Sequence, residues 1–150
     1  ATRVMSLRDG SKKMSKSDPS DYSRIMLTDS ADNIEQKIKK AKTDPQPLPS
    51  TKEDLKQRPE AENLISIFAS LQNSSIENVI SEYAGKEFSD FKRDLIDLSV
   101  SKLGPITTEM NKLMTDTSYI DSVLNDGKDK AINVAEPVLR KTKEIIGFLS

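Results

Sequence analysis

The chain has 150 residues, of which 35% are hydrophobic, 31% charged and only 5% aromatic, with a formal net charge of −1. This charge-rich, aromatic-poor profile fits a helical protein of one domain, or a small domain with an appended segment, rather than a sandwich or barrel. Cysteine and histidine are both absent, which excludes a disulfide framework, Cys- or His-ligated metals and histidine base chemistry, so any chemistry rests on Lys, Arg, carboxylates, hydroxyls or backbone. No stretch approaches the length of a membrane span, and Ala1-Thr2-Arg3-Val4-Met5 lacks the apolar region of a signal peptide. The first residue is not methionine, and the chain is expected to begin within a longer protein.

Thr2 to Leu7, with Val4, Met5 and Leu7, reads as a short strand. Gly10 and Pro19 then bracket a loop. Arg24-Ile25-Met26-Leu27 reads as another short strand. Two such pieces cannot form an independent sheet, so they are expected to be the edge of a larger α/β domain. A helix is predicted to start at Asp29 or Ser30, with Ala31, Ile34, Ile38 and Ala41 as its apolar stripe. Lys37, Lys39, Lys40 and Lys42 lie towards its C-terminus and read as a solvated basic face. Residues 45–59 carry Pro45, Pro47, Pro49 and Pro59 and read as a loop without regular structure, the best boundary in the chain.

Beyond Pro59 the pattern is helical. Ala61, Leu64, Ile65, Phe68 and Leu71 share a face, and Ser74 with Glu77 offers a capping box for a short helix that ends near Gly85. From about Ser89, Phe91, Leu95, Leu98 and Leu103 recur, and a kink or break is expected at Gly104-Pro105. A helix from Asp116 or Thr117 to Gly127 is expected to place Tyr119, Ile120, Val123 and Leu124 inside. A last helix, Lys128 to Ile146, has Ala131, Val134, Ala135, Val138, Ile145 and Phe148 on its apolar side and a bend at Pro137.

The chemistry-bearing stretch is Lys13-Met14-Ser15-Lys16-Ser17, followed by Asp18-Pro19. Residues 1–17 also carry Arg3, Arg8 and Lys12 against Asp9 alone. Two lysines three residues apart put compact charges on long stems over one loop, an arrangement suited to closing on a polyphosphate. This KMSKS pentapeptide resembles the second signature of the class I aminoacyl-tRNA synthetases. The match extends to Arg3-Val4-Met5-Ser6-Leu7 upstream, to Ile25–Ser30 and Ile34–Asp44, to Glu62-Asn63-Leu64-Ile65, to Gly104-Pro105-Ile106, and to Gly147-Phe148-Leu149. In order and spacing these resemble the C-terminal part of the bacterial-type tryptophanyl branch of that class.

That resemblance implies a mainly α fold: residues 1–44 as the remnant edge of a Rossmann-like α/β catalytic domain carrying the KMSKS loop, then 60–150 as a C-terminal helical bundle of anticodon-binding type. It implies activation of tryptophan by ATP, with Mg2+ as part of the substrate complex, and charging of tRNA(Trp). Lys13 and Lys16 match the two signature lysines that stabilise the leaving pyrophosphate. Ser15 and Ser17 would add donors to phosphate oxygens, while Met14 would anchor the loop with its backbone near the adenine, which the Val4 backbone would also contact. The first signature, HIGH, needs two histidines that this chain lacks. Tryptophan would therefore be bound by a missing N-terminal half, and the piece is expected to be inactive alone. The resemblance implies a homodimer at full length and a bacterial cytoplasmic location, with an organellar source left open.

Lys92, Arg93 and Lys112 are candidate RNA contacts on solvated faces. Two other readings stand beside the enzyme: a stand-alone helical tRNA-binding module without catalysis, and a helical interaction scaffold.

Overall fold

The computed structural model describes residues 3–148. Val4 and Met5 lead into a two-stranded antiparallel hairpin, β1 (Met5–Ser6) and β2 (Asp9–Lys13), with Met5 opposite Lys13 and an irregularity between Met5 and Ser6. A 3-10 turn, Asp21–Ser23, follows. The helices are α1 (Ala31–Lys39), α2 (Lys52–Leu55), α3 (Pro59–Gln72), α4 (Ile76–Tyr83), α5 (Phe88–Thr115) and α6 (Thr117–Ile145). The chain forms two compact units, Ala1–Thr108 and Glu109–Ser150. The Pro-rich segment expected as a boundary lies inside the first.

Local chemistry explains most helix ends. The Ser30 side chain accepts from the Asn33 N–H and starts α1, Thr51 does the same for α2 with Asp54, and Asp116 for α6 with Tyr119. Ser75, rather than the expected Ser74, caps α4 by accepting from Asn78, because Asn73 in the left-handed region (φ 58°) closes α3 and uses up one more residue of chain. Gly85 (φ +74°) follows the end of α4 as expected.

The core of the first unit gathers Ile34 and Ile38 of α1, Leu64, Ile65 and Phe68 of α3, Val79, Ile80 and Tyr83 of α4, and Phe91 and Leu95 of α5. Three of its rings meet edge-on or tilted, Phe68–Tyr83 and Phe68–Phe91 at 5.3 Å and Tyr83–Phe91 at 4.9 Å between centroids. Of the stripe predicted for α1, Ala31 is exposed; the other three residues are buried.

Several expectations are corrected. Arg24–Leu27 is not a strand: Asp29 accepts from the Met26 N–H while its own N–H donates to the Met26 carbonyl, which folds the segment into a turn. The segment 45–59 is not structureless. It contains α2, and Leu48 and Leu55 are buried. Of the kink or break expected at Gly104-Pro105, the break is absent: α5 continues through both residues. Proline removes one N–H, and the carbonyl that loses its donor belongs to Ser101, an exposed residue. Gly127 does not stop a helix either. It sits within the unbroken α6, flanked by Lys128, Asp129, Lys130 and Ala131, and its interior cost of about 1 kcal/mol does not outweigh propagation from both sides.

The second unit holds the last turns of α5 and the whole of α6. Tyr119, Val123 and Leu124 are not inside; with Met110, Leu113 and Met114 they line an open groove of about 340 Å³. No described residue of α6 is buried, and the expected apolar side, including Val134, Val138 and Ile145, is exposed.

Candidate functional site

The KMSKS segment begins on a strand and ends on a tethered turn. Lys13 is the last residue of β2, and Met14 to Ser17 form the loop. The base of the loop is fixed at Met14, whose N–H donates to the Val4 carbonyl at 3.1 Å and whose side chain packs against the core. The crown is a tight turn in which the Asp18 N–H reaches the Ser15 carbonyl at 3.4 Å. The Ser15 and Ser17 hydroxyls lie 3.0 Å apart, and the Ser17 N–H donates to Ser15 Oγ at 3.3 Å. Both hydroxyls are exposed.

Lys13 and Lys16 are exposed, and among the described residues neither forms an ion pair. Lys12 differs, pairing with Asp9 at 3.1 Å. The Asp9 carboxyl is held down to about 2 chiefly by the Ser11 hydroxyl, then by Lys12. Asp9 is thus satisfied by other partners and the Asp18 carboxylate accepts from the Ser20 N–H at 2.8 Å; neither pairs with Lys13 or Lys16, whose ammonium groups stand on a short loop that an anion can approach.

The downstream anchor was not foreseen from the sequence. Arg24 donates from Nη1 to the carbonyls of Asp18 (2.9 Å) and Ser20 (3.2 Å), and pairs through Nη2 with Asp21 at 3.1 Å. Asp21 also meets Lys37 at 2.9 Å, and Lys37 meets Asp29 at 2.7 Å. Lys37 is therefore not on a solvated face, being only 3% exposed; burial pushes its pKa down, and the hydrogen bonds it donates to Asp21 and Asp29 outweigh that and keep it above the ordinary lysine value. A relay Lys37–Asp21–Arg24–Asp18 runs from α1 to the end of the signature loop. Nothing local in the sequence marks either residue: Arg24 opens the run Ile25-Met26-Leu27, and Lys37 stands among other charged residues.

The other lysines of that run are exposed. Lys39 pairs with Glu35, Lys42 with Glu60 at 2.8 Å, and Lys40 lies over the Tyr22 ring, 4.2 Å from its centroid.

The RNA-contact candidates fare differently. Arg93 is exposed and paired with Asp90, and Lys112 is exposed beside Glu109 at 3.6 Å. Lys92 is half-buried and donates to the carbonyls of Lys39 (3.1 Å) and Ala41 (2.7 Å), which closes the C-terminal end of α1. Burial first, and the charge of Arg8 second, lower its pKa.

Comparison with known proteins follows the same segments. Residues 1–103 match the family model described as tRNA synthetases class I (W and Y). The tryptophan–tRNA ligase of Rhizobium meliloti (strain 1021) is 59% identical over 149 residues, 99% of this chain and 42% of the relative. That of Rickettsia felis is 47% identical over 148 residues, 99% of this chain and 44% of the relative. In structure the chain is similar to tryptophanyl-tRNA synthetase from Mycoplasma pneumoniae, with a TM-score of 0.74 and 25% identity over 99% of this chain and 46% of that one. The chain therefore spans less than half the length of the curated relatives it matches.

Proposed function

The chain belongs to the class I tRNA synthetases (W and Y), and from that premise we propose that it is the C-terminal part of a tryptophan–tRNA ligase, with residues 13–17 acting on ATP. The curated relatives quoted above all carry that name, and 99% of this chain aligns with them. The observation that carries the reading is the state of Lys13 and Lys16: exposed, unpaired among the described residues, and mounted on a loop pinned at both ends.

In the proposed reaction the tryptophan carboxylate attacks the α-phosphate of ATP, and negative charge grows on the departing pyrophosphate. Lys13 and Lys16 stabilise that charge more than they stabilise bound ATP, which lowers the barrier. The Ser15 and Ser17 hydroxyls donate to phosphate oxygens once the loop closes. Val4 and Met14 present backbone to the adenine end, and Mg2+ arrives with the nucleotide. Residues 1–44 are proposed as the end of the Rossmann-like catalytic domain and 60–150 as the tRNA(Trp)-binding helical part. Tryptophan binding, the HIGH signature and the homodimer contact belong to the remainder of the longer protein, and these 150 residues alone are inactive.

The deciding experiment is tryptophan-dependent pyrophosphate exchange by the full-length protein. Lys16→Ala is expected to lower the exchange rate by about two to three orders of magnitude with little change in tryptophan affinity. An unchanged rate removes the proposed role, and aminoacylation by the 150-residue piece alone contradicts the division of labour.

A further inference from the structure

Asn63 lies on α3, surrounded by Ala61, Leu64 and Ile65, and is itself 4% exposed. A primary amide in such a place needs a partner for each of its polar atoms. The partners are backbone groups 57 and 58 residues away. The Met5 N–H donates to Asn63 Oδ1 at 2.9 Å, and Asn63 Nδ2 donates to the carbonyls of Met5 (2.9 Å) and Ser6 (3.3 Å).

The direction of the two Met5 bonds follows from strand geometry, while the irregularity between Met5 and Ser6 accompanies the third, to the Ser6 carbonyl. Successive residues of a strand send their backbone groups to opposite edges. The Val4 carbonyl faces β2, where it accepts from Met14. The Met5 groups therefore face the outer edge, and there the Asn63 amide accepts and donates as a neighbouring strand would. Leu7, two residues on, completes the same edge: its N–H donates to the Ser23 carbonyl at 2.9 Å and its carbonyl accepts from Lys42 at 2.7 Å. A second contact holds α3 to the same hairpin. Gly10 of β2 lies so close to Pro59 and Glu60 that a Cβ there would collide with their backbone. The path from α3 to the first loop residue is thus short, two hydrogen-bonded steps joined by one peptide bond: Asn63 to Met5, Met5 to Val4 along the chain, then Val4 to Met14.

We propose that Asn63 is a positioning residue for the nucleotide step, fixing β1 against α3 so that Met14 and the signature loop are held in register. The proposal rests on the reading of residues 13–17 as the ATP loop. Asn63 itself touches no substrate, and its effect reaches the loop through Met5 and Val4.

The test uses the full-length enzyme with Asn63→Ala and Asn63→Ser. Both variants lose the two-way bond to Met5, so kcat/KM for ATP is expected to fall about 10- to 100-fold, the size of loss that follows a displacement of about 1 Å in reacting groups. KM for tryptophan and the active-site titre are expected to stay within about twofold of wild type. A wild-type ATP dependence in either folded variant overturns the proposal, as does an equal loss in every parameter that tracks a reduced titre. Hydrogen exchange on the wild-type enzyme covers variants that do not fold: the Met5 amide is expected to be protected, and exchange at the free-peptide rate overturns the proposal. Absence of tryptophan-dependent exchange in the wild type would instead defeat the underlying reading of the loop.

Discussion

Arg58 grips Asp44 with two parallel hydrogen bonds, Nε to Oδ2 at 2.9 Å and Nη2 to Oδ1 at 2.6 Å. The same guanidinium donates to the carbonyls of Pro47 (2.8 Å) and Gln46 (3.1 Å). One side chain thus organises the Pro-rich segment and presents α3, which begins at Pro59, to the rest of the unit. A planar fork of five donors can do this where a lysine cannot.

Arg58→Met is expected to lower stability by about 2 kcal/mol, as for loss of hydrogen bonds to a charged group. The effect depends on pH. Burial pushes the Asp44 carboxyl up, but the Arg58 hydrogen bonds, the Gln46 N–H and the Arg58 charge together outweigh it, so its folded pKa lies below 3.8. The contribution is present above that value and is lost as pH falls through the lower, folded one. Urea midpoints of wild type and variant are therefore expected to differ at pH 7 and to converge as the solution is acidified below pH 3.8.

Lys37→Met is expected to destabilise by about 3 kcal/mol, because it strands the buried carboxylate of Asp29 without a counter-ion. Adding Asp29→Asn should restore part of the loss, since the unpaired charge is then gone. Denaturant titration of both single variants and the double variant measures the coupling. Additive losses would show that the pair is not an energetic unit.

Phe91 is fully buried between the rings of Phe68 and Tyr83. Phe91→Ala is expected to cost about 3–5 kcal/mol, and Phe91→Leu considerably less, because it leaves a smaller cavity. Thermal unfolding followed by near-ultraviolet circular dichroism reads both the stability and the loss of the ring cluster.

The sequence made legible what depends on neighbours along the chain. The Ser30 cap, the glycine after α4, the stripe of α3 and the pentapeptide itself all follow from spacing and residue type. What escaped it depends on distant partners. Lys37 looked like one more cation on a basic helix, yet Asp29 and Asp21 draw it into the interior. Arg24 looked like the start of a strand and instead ties off the signature loop. Asn63 stands beside Glu62 on a helix with an apolar stripe, and nothing local named Met5 as its partner. Neither Gly104-Pro105 nor Gly127 ends its helix, because one missing N–H or one flexible residue does not stop a helix whose flanks both propagate it.

Helix α6 spends 29 residues without burying one of them among those described. A helix of this kind owes its persistence to its own ladder of backbone bonds, with Gly127 and Pro137 each weakening a turn. Heating these 150 residues should therefore give two superimposed curves. The first unit melts in a sharp, cooperative step, because the ring cluster and the residues packed around it are lost together. α6 unwinds gradually from its ends and its two weak turns, and registers only as a slope in the helical signal. A midpoint taken from total helicity averages these two processes, whereas one taken from the tyrosine environment at position 83 belongs to the first unit alone.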